Sequence, residues 1–168
     1  MNRALLTAAV ITIGLTGCSS EHFVAPKPTL ALESETFSRV ALAIDGQPVD
    51  ATTELPSGGT VQLQYKVRFS TPRDPDEILR LKSMPYLEAA LLSGLSGERV
   101  AQVAMRLEQS SSTSDCLFSA PLAVPKGEGT VLLEASILEV EETTTAEGGV
   151  AFRPMGRSPF HQTELTIR

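Results

Sequence analysis

The chain has 168 residues, a formal net charge of −6, 42% hydrophobic and 20% charged residues, the balance of a globular protein with enough apolar material for a real core. An acidic chain without a Lys/Arg cluster suits neither nucleic acid nor anionic lipid headgroups. Aromatic residues make up only 5%, with no Trp, which argues against an aromatic platform for sugars.

The first stretch is Met1-Asn2-Arg3, an apolar run from Ala4 to Leu15, and then Leu15-Thr16-Gly17-Cys18. A positive charge followed by about a dozen apolar residues is too short for a permanent membrane span and has the form of a cleavable signal. With Leu three residues before the cysteine and small Gly17 directly ahead of it, the stretch resembles the signal peptide and lipobox of bacterial lipoproteins. The resemblance implies cleavage before Cys18, a diacylglycerol thioether on its sulfur and acylation (palmitate) of its new amine. At ~0.8 kcal/mol per buried methylene, several acyl chains would anchor the protein without a transmembrane helix. Ser19, rather than Asp, follows the cysteine, which by the same resemblance implies the cell outer membrane.

The expected organisation is therefore a signal peptide over 1–17, a lipidated cysteine with a flexible tether over 18–35, and one domain over 36–168. Ala25-Pro26-Lys27-Pro28 favours extended backbone in the tether. Lipidation of Cys18 would leave Cys116, the second of two cysteines, without an intramolecular partner. The fold must then hold by its core, with Cys116 as a small buried hydrophobe.

Val40, Leu42 and Ile44 share one face of a predicted strand, and Asp45-Gly46 after them is a hairpin turn signal. Pro56-Ser57-Gly58-Gly59 marks another turn. From Thr60 to Phe69, Val61, Leu63, Tyr65, Val67 and Phe69 alternate strictly with Gln62, Gln64, Lys66 and Arg68. Such a period of two specifies a strand with one face on the core. Thr71 to Asp76 is expected as a loop.

Residues 77–109 fit two patterns. Gly94 and Gly97 divide them into Tyr86–Leu92 and Glu98–Gln109, which read as a strand hairpin, with a helical hairpin as the alternative. Cys116–Val124 is a predicted strand carrying Pro121. Pro125 to Gly129 is a turn, and Thr130–Val140 a long apolar strand. Val131, Leu133, Ala135 and Ile137 share a face before Leu138 and Val140 take over, so a bulge or a change in what the strand covers is expected. Glu141–Gly149 reads as an acidic loop. Val150–Phe152 and Phe160–Ile167 are final strands, separated by a turn at Pro154-Met155-Gly156-Arg157. Turns every 8–12 residues without alternating long helices predict a mainly β, antiparallel β-sandwich. The passage from Pro125-Lys126-Gly127 to Ile137 resembles the turn and strand near the end of Ig-like and fibronectin-like domains. The alternative fold class is α+β, with the helical hairpin in 77–109.

Catalytic chemistry has few candidates. His22 and His161 stand alone, with no His-Glu-x-x-His and no Cys-x-x-Cys. Gly94-Leu95-Ser96-Gly97 resembles a Gly-x-Ser-x-Gly elbow, but Glu98 stands where the second glycine belongs, so a plain turn is expected. Asp74, Asp76 and Glu77 place three hard oxygen donors in one loop, the candidate metal ligands, beside a zinc site from His161, Cys116 and carboxylates that would need folding to bring them together. The loop acids lack the glycine and later Glu of an EF-hand, and no metal or cofactor is expected.

These readings favour a non-enzymatic, membrane-anchored envelope lipoprotein that binds or scaffolds another envelope protein, either in the periplasm or at the surface. The alternatives are a periplasmic ligand- or calcium-binding lipoprotein and, behind it, a hydrolase with a site dispersed over Ser96 and His161.

Overall fold

The computed structural model describes Leu30–Ala31 and residues 36–168; Cys18 and the signal stretch lie outside the described residues. Leu30–Ala31 falls within the expected tether, yet forms a two-residue strand, β1. Strand β2 (Phe37–Ile44) then turns through Asp45-Gly46 into β3 (Gln47–Pro48). Asp45 and Gly46 have φ of 50° and 78°, the left-handed pair that a tight hairpin turn demands and that Asp-Gly tolerates best. The Asp45 carboxylate also accepts the Gln62 N–H at 2.8 Å, which ties the turn to the next long strand.

After the short β4 (Glu54–Leu55) comes β5 (Thr60–Phe69), with the bounds that the alternation predicts. Val61, Leu63, Tyr65, Val67 and Phe69 are all buried, and the polar residues between them are not. The expected loop at 71–76 gives way to a helix, α1 (Pro75–Ser83), which closes one end of the core with Ile78 and Leu81. The two glycine-divided pieces that follow are strands, β6 (Leu87–Ser93) and β7 (Arg99–Ser110). A helical hairpin fails here because β6 is flanked on both sides, by β7 and by a later strand. Leu87, Ala89 and Leu91 point together into the core. The remaining strands are β8 (Asp115–Ala123), β9 (Gly129–Thr144) and β10 (Val150–Ile167).

The strand order among the described residues is β1-β10-β9-β6-β7-β8-β5-β2-β3, with antiparallel neighbours throughout and β4 parallel to the end of β10. Strand β7 carries the path from one layer to the other. It pairs with β6 as far as Met105 and with β8 from Arg106 onward, with a register shift between Leu107 and Gln109. The two layers face each other across one hydrophobic core, as the predicted β-sandwich requires. Phe160 of β10 sits edge-on to Phe37 of β2 at 4.9 Å and to Tyr65 of β5 at 6.0 Å between ring centroids.

The final hairpin departs most from expectation. The acidic stretch is strand up to Thr144, and β10 resumes at Val150 directly opposite it. No turn interrupts Pro154 to Arg157, because β10 absorbs the awkward residues as two bulges, at Met155 and Phe160, each directly after a proline. A bulge tolerates the missing N–H of proline and lets the strand continue. The expected change of face in β9 is present: residues through Ile137 cover the core, whereas Leu138 is buried on the opposite face. Strand β9 stays regular, and the irregularity is on its partner.

Because Phe160 links three rings across the layers, Phe160→Ala should cost about 3–5 kcal/mol. A urea melt of this variant is expected to show a clearly lowered midpoint; an unchanged midpoint would contradict the packing.

Candidate protein-binding arm

Beyond the Leu87↔Ile137 pair, β6 ends and β9 keeps only β10 as a neighbour. Residues 138–144 and 150–158 thus make a two-stranded arm that leaves the sandwich, roughly 20 Å long at ~3.3 Å per residue. Among the described residues, the Leu138 N–H ties it to the chain just before β6, donating to the Tyr86 carbonyl at 2.9 Å. A turn at Thr145–Gly149 caps it: the Thr145 N–H donates to the Gly149 carbonyl at 2.8 Å.

Registration assigns side chains to the two faces of the arm. On one lie Val140, Glu142 and Thr144, opposite Pro154, Phe152 and Val150. On the other lie Glu139, Glu141 and Thr143, opposite Gly156, Arg153 and Ala151. Val150 is 59% exposed and Met155 62% exposed, and neither Val140 nor Phe152 packs on the core. Apolar side chains are therefore presented to solvent on a projecting element.

A buried carboxylate fixes the base of this arm. Glu88 lies on the outer face of β6, only 5% exposed. Arg157 of the arm grips it with two bonds, Nε to Oε1 at 2.6 Å and Nη2 to Oε2 at 3.2 Å. Arg99 of β7 donates to the same carboxylate and reaches Glu134 at 3.4 Å, and Glu134 accepts from Gln162 Nε2 at 2.8 Å. Burial alone would push the Glu88 pKa up, but the two guanidiniums outweigh it and hold the carboxyl below the usual range. The group stays ionised and the arm stays registered on the sheet.

The residues singled out in the sequence are scattered. Asp74 is the N-cap of α1, its carboxylate accepting the Asp76 N–H at 2.8 Å, with Pro75 opening the helix. Asp76 lies in the first turn, and Glu77 pairs with Arg73 at 2.9 Å. These acids sit where a helix N-terminus favours negative charge. No group of three metal-ligating side chains occurs among the described residues.

Ser96 sits in the exposed β6–β7 turn, where its Oγ accepts the Glu98 N–H at 3.3 Å. His161 is buried in the core, Nδ1 lying 3.4 Å from the Tyr65 hydroxyl. Strand β9 separates the two, since Gly94 of the Ser96 turn bonds Thr130 while His161 registers with Ala135. Cys116 is buried on β8, and burial together with Asp115 pushes its thiol pKa up, opposite to the shift of an activated nucleophile. At the end of the sandwich away from the arm, Leu95, Val100, Pro125, Val131 and Ile167 line an apolar depression of about 470 Å³.

The arm and Glu88 were missed in the sequence, although each leaves a trace. Glu88 is the one charge in Leu87-Glu88-Ala89-Ala90-Leu91-Leu92, and a carboxylate in such a run needs a cationic partner. The Asp-Pro-Asp-Glu beginning at Asp74 is a helix start, with an N-cap and proline at the first position. Comparison with known proteins finds no family that matches the chain and no similar curated protein.

Two stability measurements follow. Burial pushes the His161 pKa below its ordinary value, so the fold keeps the ring neutral while the unfolded chain takes up a proton below about pH 6.5. Stability should fall on acidification through that window, and His161→Gln should flatten the dependence in thermal melts from pH 7.5 to 5. Glu88→Ala leaves two guanidiniums without their shared anion and should cost about 2 kcal/mol at pH 7, less than a fully buried pair because both arginines reach solvent. The depressed Glu88 pKa contributes stability above about pH 4.5 that is lost as pH falls through the folded value. The gap between wild type and variant should therefore close on acidification.

Proposed function

We propose that this chain is a lipid-anchored outer-membrane lipoprotein that acts without catalysis, holding a β-sandwich on a tether and binding another envelope protein through its β9–β10 arm. The observation that carries this reading is the arm itself. It extends past Leu87, the first residue of β6, presents Val150 and Met155 to solvent, and contributes little to the core. A projecting hairpin with apolar side chains costs stability in water unless a partner covers it. The scattering of Ser96, His161 and Cys116, which share no site, fits the same reading.

The course of the chain supports the geometry. Strand β1 pairs Leu30 with Gln162 and Ala31 with His161, so it runs antiparallel to β10 and toward the tip of the arm. A chain anchored at Cys18 would enter the sheet from the far side, with the arm pointing away from the membrane. Among the described residues no helix is long and apolar enough to cross a bilayer.

The apolar depression beside Leu95 and Val131 favours one second reading, a ligand-binding lipoprotein. Calcium has less support, because Asp74 and Glu77 are already engaged with the helix and Arg73.

The test is crosslinking of the anchored protein in its own cells, alongside Cys18→Ala and a variant in which residues 140–154 are replaced by a short turn. A discrete partner should be recovered with wild type and lost from both variants. A partner that survives removal of the arm would refute the arm as the binding element. Recovery of bulk outer-membrane proteins alone would favour the ligand reading, checked by thermal melts with calcium and with a long-chain fatty acid.

A further inference from the structure

We propose that the open edge of β9 in the arm receives an extended segment of another protein, in which Lys or Arg alternates with apolar residues. The inference rests on the arm being a protein-binding element and names how it binds. The Leu138 N–H donates to Tyr86, so even-numbered residues of β9 turn their backbone N–H and C=O toward the β6 side. Both bulges of the hairpin lie on β10, and the alternation in β9 therefore continues unbroken. Val140, Glu142 and Thr144 then offer N–H and C=O groups in the line that β6 occupies further down, and no described strand takes them up. Helix α1, which precedes β6, packs on β7.

The outer side of β2 from Phe37 to Ala41 is also left open by the described strands, but Arg39 there lies opposite Arg68, and such an edge does not suit a basic segment. Strands β1, β3 and β4 have two residues each, and β3 carries Pro48. The β10 side carries Pro154 and the Met155 bulge within the arm, and Pro159 and the Phe160 bulge just below its base, devices that stop a strand from being extended. The β9 side carries none of them. Its side chains instead select by charge: Glu139 and Glu141 are exposed and form no ion pair among the described residues, Glu139 lying opposite Gly156 and Glu141 opposite Arg153. A strand laid along this edge would place residues directly opposite Glu139, Val140 and Glu141, and cation, apolar, cation is the complementary sequence. A second copy of this chain does not fit, because pairing β9 with itself brings these carboxylates against one another.

The test uses the full chain, purified in detergent, with an acetylated nonapeptide alternating lysine and valine and a control alternating glutamate and valine. Hydrogen exchange read by NMR should slow at the amides of Val140, Glu142 and Thr144 with the lysine peptide only. Binding should weaken roughly tenfold in the doubly reversed Glu139→Lys/Glu141→Lys protein and fall with salt. Glu142→Pro removes one outward N–H and should abolish the protection pattern. Protection elsewhere, equal binding of the acidic peptide, or no protection would overturn the inference. So would a dimer in sedimentation that is lost with Glu142→Pro. Photocrosslinking in cells from positions 142 and 155 separates this failure from that of the arm reading. Adducts from 155 alone would retain the arm and refute the β9 edge, and adducts from neither would refute both.

Discussion

The extra residue at Phe160 decides which side of β10 is occupied by the residues between it and the next bulge, at Met155. Downstream, His161, Thr163, Leu165 and Ile167 face the core. A strand without the bulge would put Arg157 on that same inner face by simple alternation. The bulge instead lets Phe160 and His161 point inward together, both against Tyr65 at ring distances of 6.0 and 5.7 Å, and sends Arg157 to the outer face, where Glu88 waits. One inserted residue thus couples the aromatic contact between layers to the charged clamp at the base of the arm. Pro159 directly before the bulge suits this place, since the ladder there has already given up a regular bond.

This coupling explains what was legible in the sequence. The alternation of Thr60–Phe69 was sufficient because a half-buried strand advertises its two faces residue by residue. Asp45-Gly46 was sufficient because few residue pairs accept two positive φ values. Gly94 and Gly97 marked the break between β6 and β7, although periodicity left strand and helix open and only pairing on both flanks of β6 decided it. Pro154-Met155-Gly156-Arg157 misled, since its local chemistry is that of a turn while its partner, β9, is regular and long enough to hold it in a strand. Bulges are settled by what lies across the ladder, and a single sequence does not contain that information in local form. The loop expected over 71–76 holds as far as Asp74, and the helix that begins at Pro75 was legible in Asp-Pro-Asp-Glu as an N-cap followed by proline.

The candidate site follows the same division. Residue types that suggest chemistry, such as Ser96, His161 and Cys116, were easy to find by name, and the fold uses each for turn geometry or packing. Glu88 attracted no notice, although its burial is the costlier choice. A buried carboxylate is tolerated only with its partners in place, and here those partners come from β7 and from the arm. Its value is positional: a guanidinium bound through two nitrogens fixes direction as well as distance. An apolar contact at the same place would leave the arm freer to swing about its base.

An arm held in this way has a consequence for recognition. A flexible hairpin would lose conformational freedom on meeting a partner and would bind more weakly for the same contacts. Here the register of β9 is already set by β10, and its base by Arg157 on Glu88, before any partner arrives. The backbone groups of Val140, Glu142 and Thr144 are therefore spaced as a strand in advance. The charges on the arm act at longer range, since exposed carboxylates attract a basic segment over about a Debye length, near 8 Å at physiological salt. In the proposed complex, edge geometry and charge would divide the labour, the carboxylates choosing the partner and the regular β9 backbone setting its register.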